Sequence, residues 1–103
     1  MEGIEELKCQ LSALLQKAES LDAETIPESR KKVSVWALEG SPVRIKNMIS
    51  EVLGVDTIWN LVHVPYDRIL RCFTNSRARM EELIAAIDEA LKILSGEYNE
   101  HIG

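Results

Sequence analysis

The sequence predicts an α+β domain whose elements follow the order α-β-α-β-β-α, with a three-stranded, largely antiparallel sheet and an added amphipathic helix at the N-terminus. Apolar residues near both ends of the chain recur every three or four positions, which is the spacing of one helix face. Residues 33–38 and 57–64 are rich in β-branched and aromatic residues, which is typical of strands. A short segment with a proline separates the second of these runs from a third, as in a hairpin.

Length and composition fit one folded domain. The chain has 103 residues, of which 46% are hydrophobic and 28% are charged, and these values argue against disorder. The net charge of −5 argues against nucleic acid or an anionic membrane as a partner. Cys9 and Cys72 lie far apart, which indicates free thiols in a reducing compartment. The acidic N-terminus lacks an apolar core, and the apolar runs are short, so we expect a cytoplasmic protein.

An amphipathic helix is predicted over residues 4–25, within an N-terminal element assigned to residues 1–26. Its apolar stripe has a spacing of three and four, and consists of Ile4, Leu7, Leu11, Leu14, Ala18 and Leu21. The stripe could pack on the domain's own sheet, or it could bind a partner or dimer helix. In the second case the candidate contact residues are Leu7, Leu11 and Leu14.

The remaining elements form a predicted βαββα module over residues 33–96. Pro27 ends the first helix, so residues 27–32 are a linker, and residues 97–103 are a polar tail that we expect to be flexible. Gly54 and Gly96 are expected to end the two helices of the module. The elements are a strand over 33–38, a helix from Pro42 to about Leu53, strands over 57–64 and 68–74, and a helix from Asn75 or Ser76 to about Ser95.

The first two predicted strands are apolar on both faces, so both faces of the sheet need a cover. Side chains alternate along a strand, and this places four large residues on one face: Trp36, Leu38, Trp59 and Leu61. The second and third helices can cover the other face only. The N-terminal helix or a second copy of the chain must then shield the tryptophans, and we expect a homodimer with these four residues in its interface.

Five short segments between Val33 and Leu94 resemble the ACT domains and the effector-binding (RAM) domains of feast/famine-type regulators. They are Val33-Ser34-Val35, the helix from Pro42, Gly54-Val55-Asp56-Thr57-Ile58, Tyr66-Asp67-Arg68-Ile69-Leu70 and Glu81-Glu82-Leu83-Ile84. The resemblance implies an incomplete ferredoxin-like fold and a regulatory role in binding a small ligand. The chain departs from those families because it lacks the fourth strand and a preceding DNA-binding helix-turn-helix.

A second set of residues resembles the small C-terminal domain of class V aminotransferase-like enzymes. It comprises Arg68-Ile69, Asn75-Ser76 and the run from Glu81 to Ile87. In that family an arginine before such a helix start grips a substrate carboxylate. The large domain that carries the lysine for pyridoxal chemistry is absent, so the resemblance implies a detached small domain or a partner subunit.

The start of the last predicted helix is a candidate anion-binding site. Free N–H groups at a helix N-terminus bind anions, and guanidinium groups strengthen such a site. The candidate residues are Arg68, Asn75, Ser76, Arg77 and Arg79. The alternative is that the arginines are solvated or paired with Glu81 and Glu82.

The sequence lacks the spacing of a metal site and the glycine-rich or nucleophile motifs of common enzymes. No cofactor is therefore expected. We expect a non-enzymatic binding or regulatory module, homodimeric, that senses a small anionic metabolite. The alternative is an interaction subunit that docks on a larger enzyme or assembly through its N-terminal helix.

Overall fold

The computed structural model describes residues 2–73 and 76–96, and every regular element in this part of the chain is a helix. The elements are α1 (Glu2–Glu19), α2 (Glu28–Lys31), a 3₁₀ turn (Val35–Ala37), α3 (Val43–Glu51), α4 (Ile58–Leu61), α5 (Tyr66–Phe73) and α6 (Arg77–Ser95). The predicted α+β class and its three-stranded sheet are therefore wrong. The predicted tail, 97–103, and Asn75 lie outside the described residues.

Helix α6 is the centre of the fold. Helices α1 and α4 make the most extensive contacts with it, and α2, α3 and α5 also pack against it. Because neighbours approach α6 from several directions, its buried residues cover more than one stripe. They are Met80, Leu83, Ile84, Ala86, Ile87, Ala90, Leu91 and Leu94.

Helix α1 lies against α6 through the stripe that the sequence predicted. Leu7, Leu11 and Ala18 of this stripe are buried, Leu15 beside it is also buried, and Leu11 is completely inaccessible to solvent. The helix ends at Glu19, six residues before the predicted end, and the hydroxyl of Ser20 donates a hydrogen bond to the carbonyl oxygen of Lys17. The apolar stripe of α1 is thus part of the chain's own core.

The first two predicted strands meet, but they pair at one position only, the antiparallel bridge between Ser34 and Thr57. At this bridge Val35 N donates to Asp56 O and Ile58 N donates to Val33 O. Beyond it both segments turn into helices, because each bridge residue caps a helical turn. The side-chain oxygen of Ser34 accepts from Trp36 N, and that of Thr57 accepts from Asn60 N.

A helix, α5, replaces the predicted hairpin and third strand. The carbonyl oxygen of Pro65 accepts hydrogen bonds from Arg68 N and Ile69 N, so the proline begins a helix instead of a turn. Asp67 lies in the first turn, where an acidic residue is favourable. Ile69 and Phe73, four residues apart, are both buried.

The structure contradicts the ferredoxin-like fold that the family resemblance implied, because the described residues form no sheet. Trp36 lies in the 3₁₀ turn and Trp59 in α4. The homodimer prediction depended on a sheet with two apolar faces that needed a second cover. That argument no longer has a basis in the structure.

Candidate protein-interaction surface

Trp36 and Val43 are large apolar side chains that remain in contact with solvent. Their exposed fractions are 46% and 63%, whereas Leu38, two residues after Trp36, is completely buried. The 3₁₀ turn packs against α3, and Lys46 Nζ donates a hydrogen bond of 3.4 Å to Trp36 O. Val43 lies one helical turn before Lys46, on the same side of α3. The turn and the helix, which pack together, therefore each present one exposed apolar side chain, Trp36 and Val43.

We define the Trp36 surface as these two residues and the polar side chains of α3 around them. Its members are Trp36, Val43, Arg44, Lys46 and Asn47. Val43, Lys46 and Asn47 share one face by their spacing of three and four. Ile45 and Ile49, which face the core, are completely buried. The surface combines two exposed apolar side chains with polar and cationic side chains.

An ion pair between α3 and α6 holds one of the cations in place. Arg44 Nε lies 3.2 Å from Glu82 Oε1, and Arg44 Nη2 donates to Glu82 Oε2, so the pair is bidentate. The hydrogen bond from Arg44 is the main cause that lowers the pKa of Glu82, and the charges of Arg44 and Arg79 lower it further. The same hydrogen bond raises the pKa of Arg44. The Arg44 side chain is still 64% exposed, so it remains available to a partner.

Trp59, in contrast, is engaged by its own chain. It is half-buried, its ring centroid lies 4.4 Å from that of His63, and Lys31 Nζ lies 4.9 Å from the ring centroid. His63 Nδ1 is 2.7 Å from Trp59 O. This cluster joins α2 to α4 and leaves little of Trp59 for a partner.

Most of the predicted interface residues belong to the core. Leu7, Leu11, Leu38 and Leu61 are buried, and Leu14 is half-buried. Of these seven residues, only Trp36 is exposed. A partner that contacts Leu7 and Leu11 would have to displace α6.

The predicted anion-binding residues are only partly brought together. Arg77 and Arg79 lie in the first turn of α6, and Ser76 is its N-cap, where its hydroxyl oxygen accepts a hydrogen bond from Arg79 N. Arg77 Nε lies 3.3 Å from Glu81 Oε2. Arg68, on α5, donates to the carbonyl oxygen of Leu53. The side chains of Arg68, Ser76 and Arg77 therefore have contacts within the chain, whereas Arg79 is bonded through its backbone N–H, and anion binding stays a prediction.

The described part of the chain contains no cluster of metal-binding side chains and no disulfide bond. No group of three or more His, Cys, Asp or Glu side chains there could hold a metal ion. Cys9 is exposed and Cys72 is half-buried, and both are free thiols. No helix within residues 2–73 and 76–96 is both long and apolar enough to cross a membrane.

The sequence analysis did not identify Val43 or Lys46 as surface contacts. The sequence feature that could have identified Val43 is its position around the helix axis relative to the buried residues. Ile45 and Ile49 define the buried face, and Val43, two residues before Ile45, falls on nearly the opposite side of a 3.6-residue helix.

Comparison of the chain with protein-family models, with curated proteins and with solved structures finds no match in any of the three.

Proposed function

We propose that this chain is a non-enzymatic binding module that recognises a protein partner through the Trp36 surface. The observation that carries the proposal is the exposure of Trp36 and Val43 on two elements that pack together. An exposed apolar cluster with a polar edge is typical of a site of protein contact.

The composition of the surface supports this proposal. Tryptophan and arginine are enriched among the residues that contribute most to binding energy at protein interfaces. Trp36 is about half exposed, so complete burial would remove on the order of 100 Å² from water. That area corresponds to about 2.5 kcal/mol of transfer free energy. Arg44, Lys46 and Asn47 at the edge supply hydrogen-bond donors, as expected of a polar rim.

Two earlier expectations have less support than this proposal. Docking through α1 would use leucines that already pack in the core. Sensing of an anionic metabolite would use the start of α6, where Ser76 and Arg77 have partners within the chain. The Trp36 surface is the better supported binding site, because its apolar side chains are exposed to solvent.

Site-specific photo-crosslinking in the native host tests the proposal. A benzophenone amino acid is introduced at position 43 in one variant and at position 52 in a matched control. Val52 is also an exposed valine, 48% accessible, but it follows the last turn of α3 and is not part of the Trp36 surface. We expect one discrete protein adduct from position 43 and none from position 52.

Binding between the crosslinked protein and this chain must then be shown with the purified proteins. The crosslinked protein is purified, and its affinity for the wild-type chain, Trp36→Ala and Val52→Ser is measured by calorimetry, with circular dichroism to confirm that each variant is folded. We expect at least a tenfold loss for Trp36→Ala and no change for Val52→Ser. Equal crosslinking from both positions, or equal affinity of Trp36→Ala and wild type, contradicts the proposal.

A further inference from the structure

We draw no further inference here: the strongest candidate, the exposed apolar patch of Trp36 on the 3₁₀ turn and Val43 at the start of α3, belongs to the surface already described, and nothing in the structure shows what covers it.

Discussion

The guanidinium group of Arg68 donates a hydrogen bond of 2.6 Å to the carbonyl oxygen of Leu53. This contact joins α5 to the chain just beyond the end of α3. Leu53 is almost completely buried, and a backbone acceptor in such a place needs a partner. The side chain that sequence patterns associated with anion binding therefore satisfies a backbone carbonyl in this fold.

Loss of this bond should destabilise the protein. We expect Arg68→Ala to lower the free energy of unfolding by about 1.5 kcal/mol, because a charged donor is removed from a partly buried acceptor. Urea denaturation followed by circular dichroism measures the change. Arg71→Ala is the control, because Arg71 is an exposed arginine of the same helix and the bond to Leu53 O comes from Arg68; it should differ from wild type by less than about 0.5 kcal/mol. Equal effects of the two substitutions would show that the hydrogen bond is not important.

The packing of α1 on α6 gives a second prediction. Leu11 is completely buried, so we expect Leu11→Ala to cost about 2–5 kcal/mol of unfolding free energy through lost burial and a cavity. Leu14→Ala should cost less, because Leu14 is only half-buried. Thermal and urea denaturation check both values. A folded Leu11→Ala variant with unchanged stability would favour the earlier hypothesis that this stripe docks on a partner.

The Arg44–Glu82 pair gives a prediction about pH. The pair lowers the pKa of Glu82 in the folded protein, so its contribution to stability is complete above the ordinary glutamate pKa of about 4.3. The contribution is lost as the pH falls through the lowered folded-state value. The pair is partly exposed, so we expect Glu82→Gln to cost only about 0.2–1 kcal/mol at neutral pH.

Urea midpoints of wild type and Glu82→Gln from neutral to strongly acidic pH measure this effect. We expect the difference between the two proteins to shrink as the solution becomes acidic, and to shrink at high salt. Glu81→Gln, in the exposed pair with Arg77, is the control and should give a smaller difference. A difference that grows in acid would contradict the sign of the pKa shift.

Gly96 gives a prediction about the end of α6. It adopts φ +90°, and an added Cβ would lie 3.1 Å from Nη1 of Arg30, whose guanidinium group contacts Leu94 O. We expect Gly96→Ala to cost about 1–2 kcal/mol, because an L-residue is strained in this left-handed conformation. Gly40→Ala is a useful control. Its Cβ would meet Glu89 Oε1 at the same 3.1 Å, but its φ is not positive and the glutamate can move, so thermal denaturation should show a smaller loss.

The candidate site was only partly predictable. Trp36 was named as an interface residue, and the structure leaves it exposed, but its supposed neighbours on a sheet face, Leu38 and Leu61, are buried. Val43 was missed because a helix face cannot be assigned from apolar content alone. Lys46 was missed because its contact with Trp36 O crosses from α3 to the 3₁₀ turn, which no local pattern encodes.

The sequence by itself determined the helices α1, α3 and α6, and it correctly placed Gly96 at the end of α6, where its φ is positive. Gly54 also has a positive φ, but it lies three residues after the last residue of α3. These features depend on a 3.6-residue apolar period and on the conformational freedom of glycine, both of which are local. Only the tertiary structure decided the state of residues 33–38 and 57–73. Short apolar runs fit a strand or a buried helix equally well. Here caps at Ser34 and Thr57, a helix start at Pro65 and the apolar surface of α6 favoured helices.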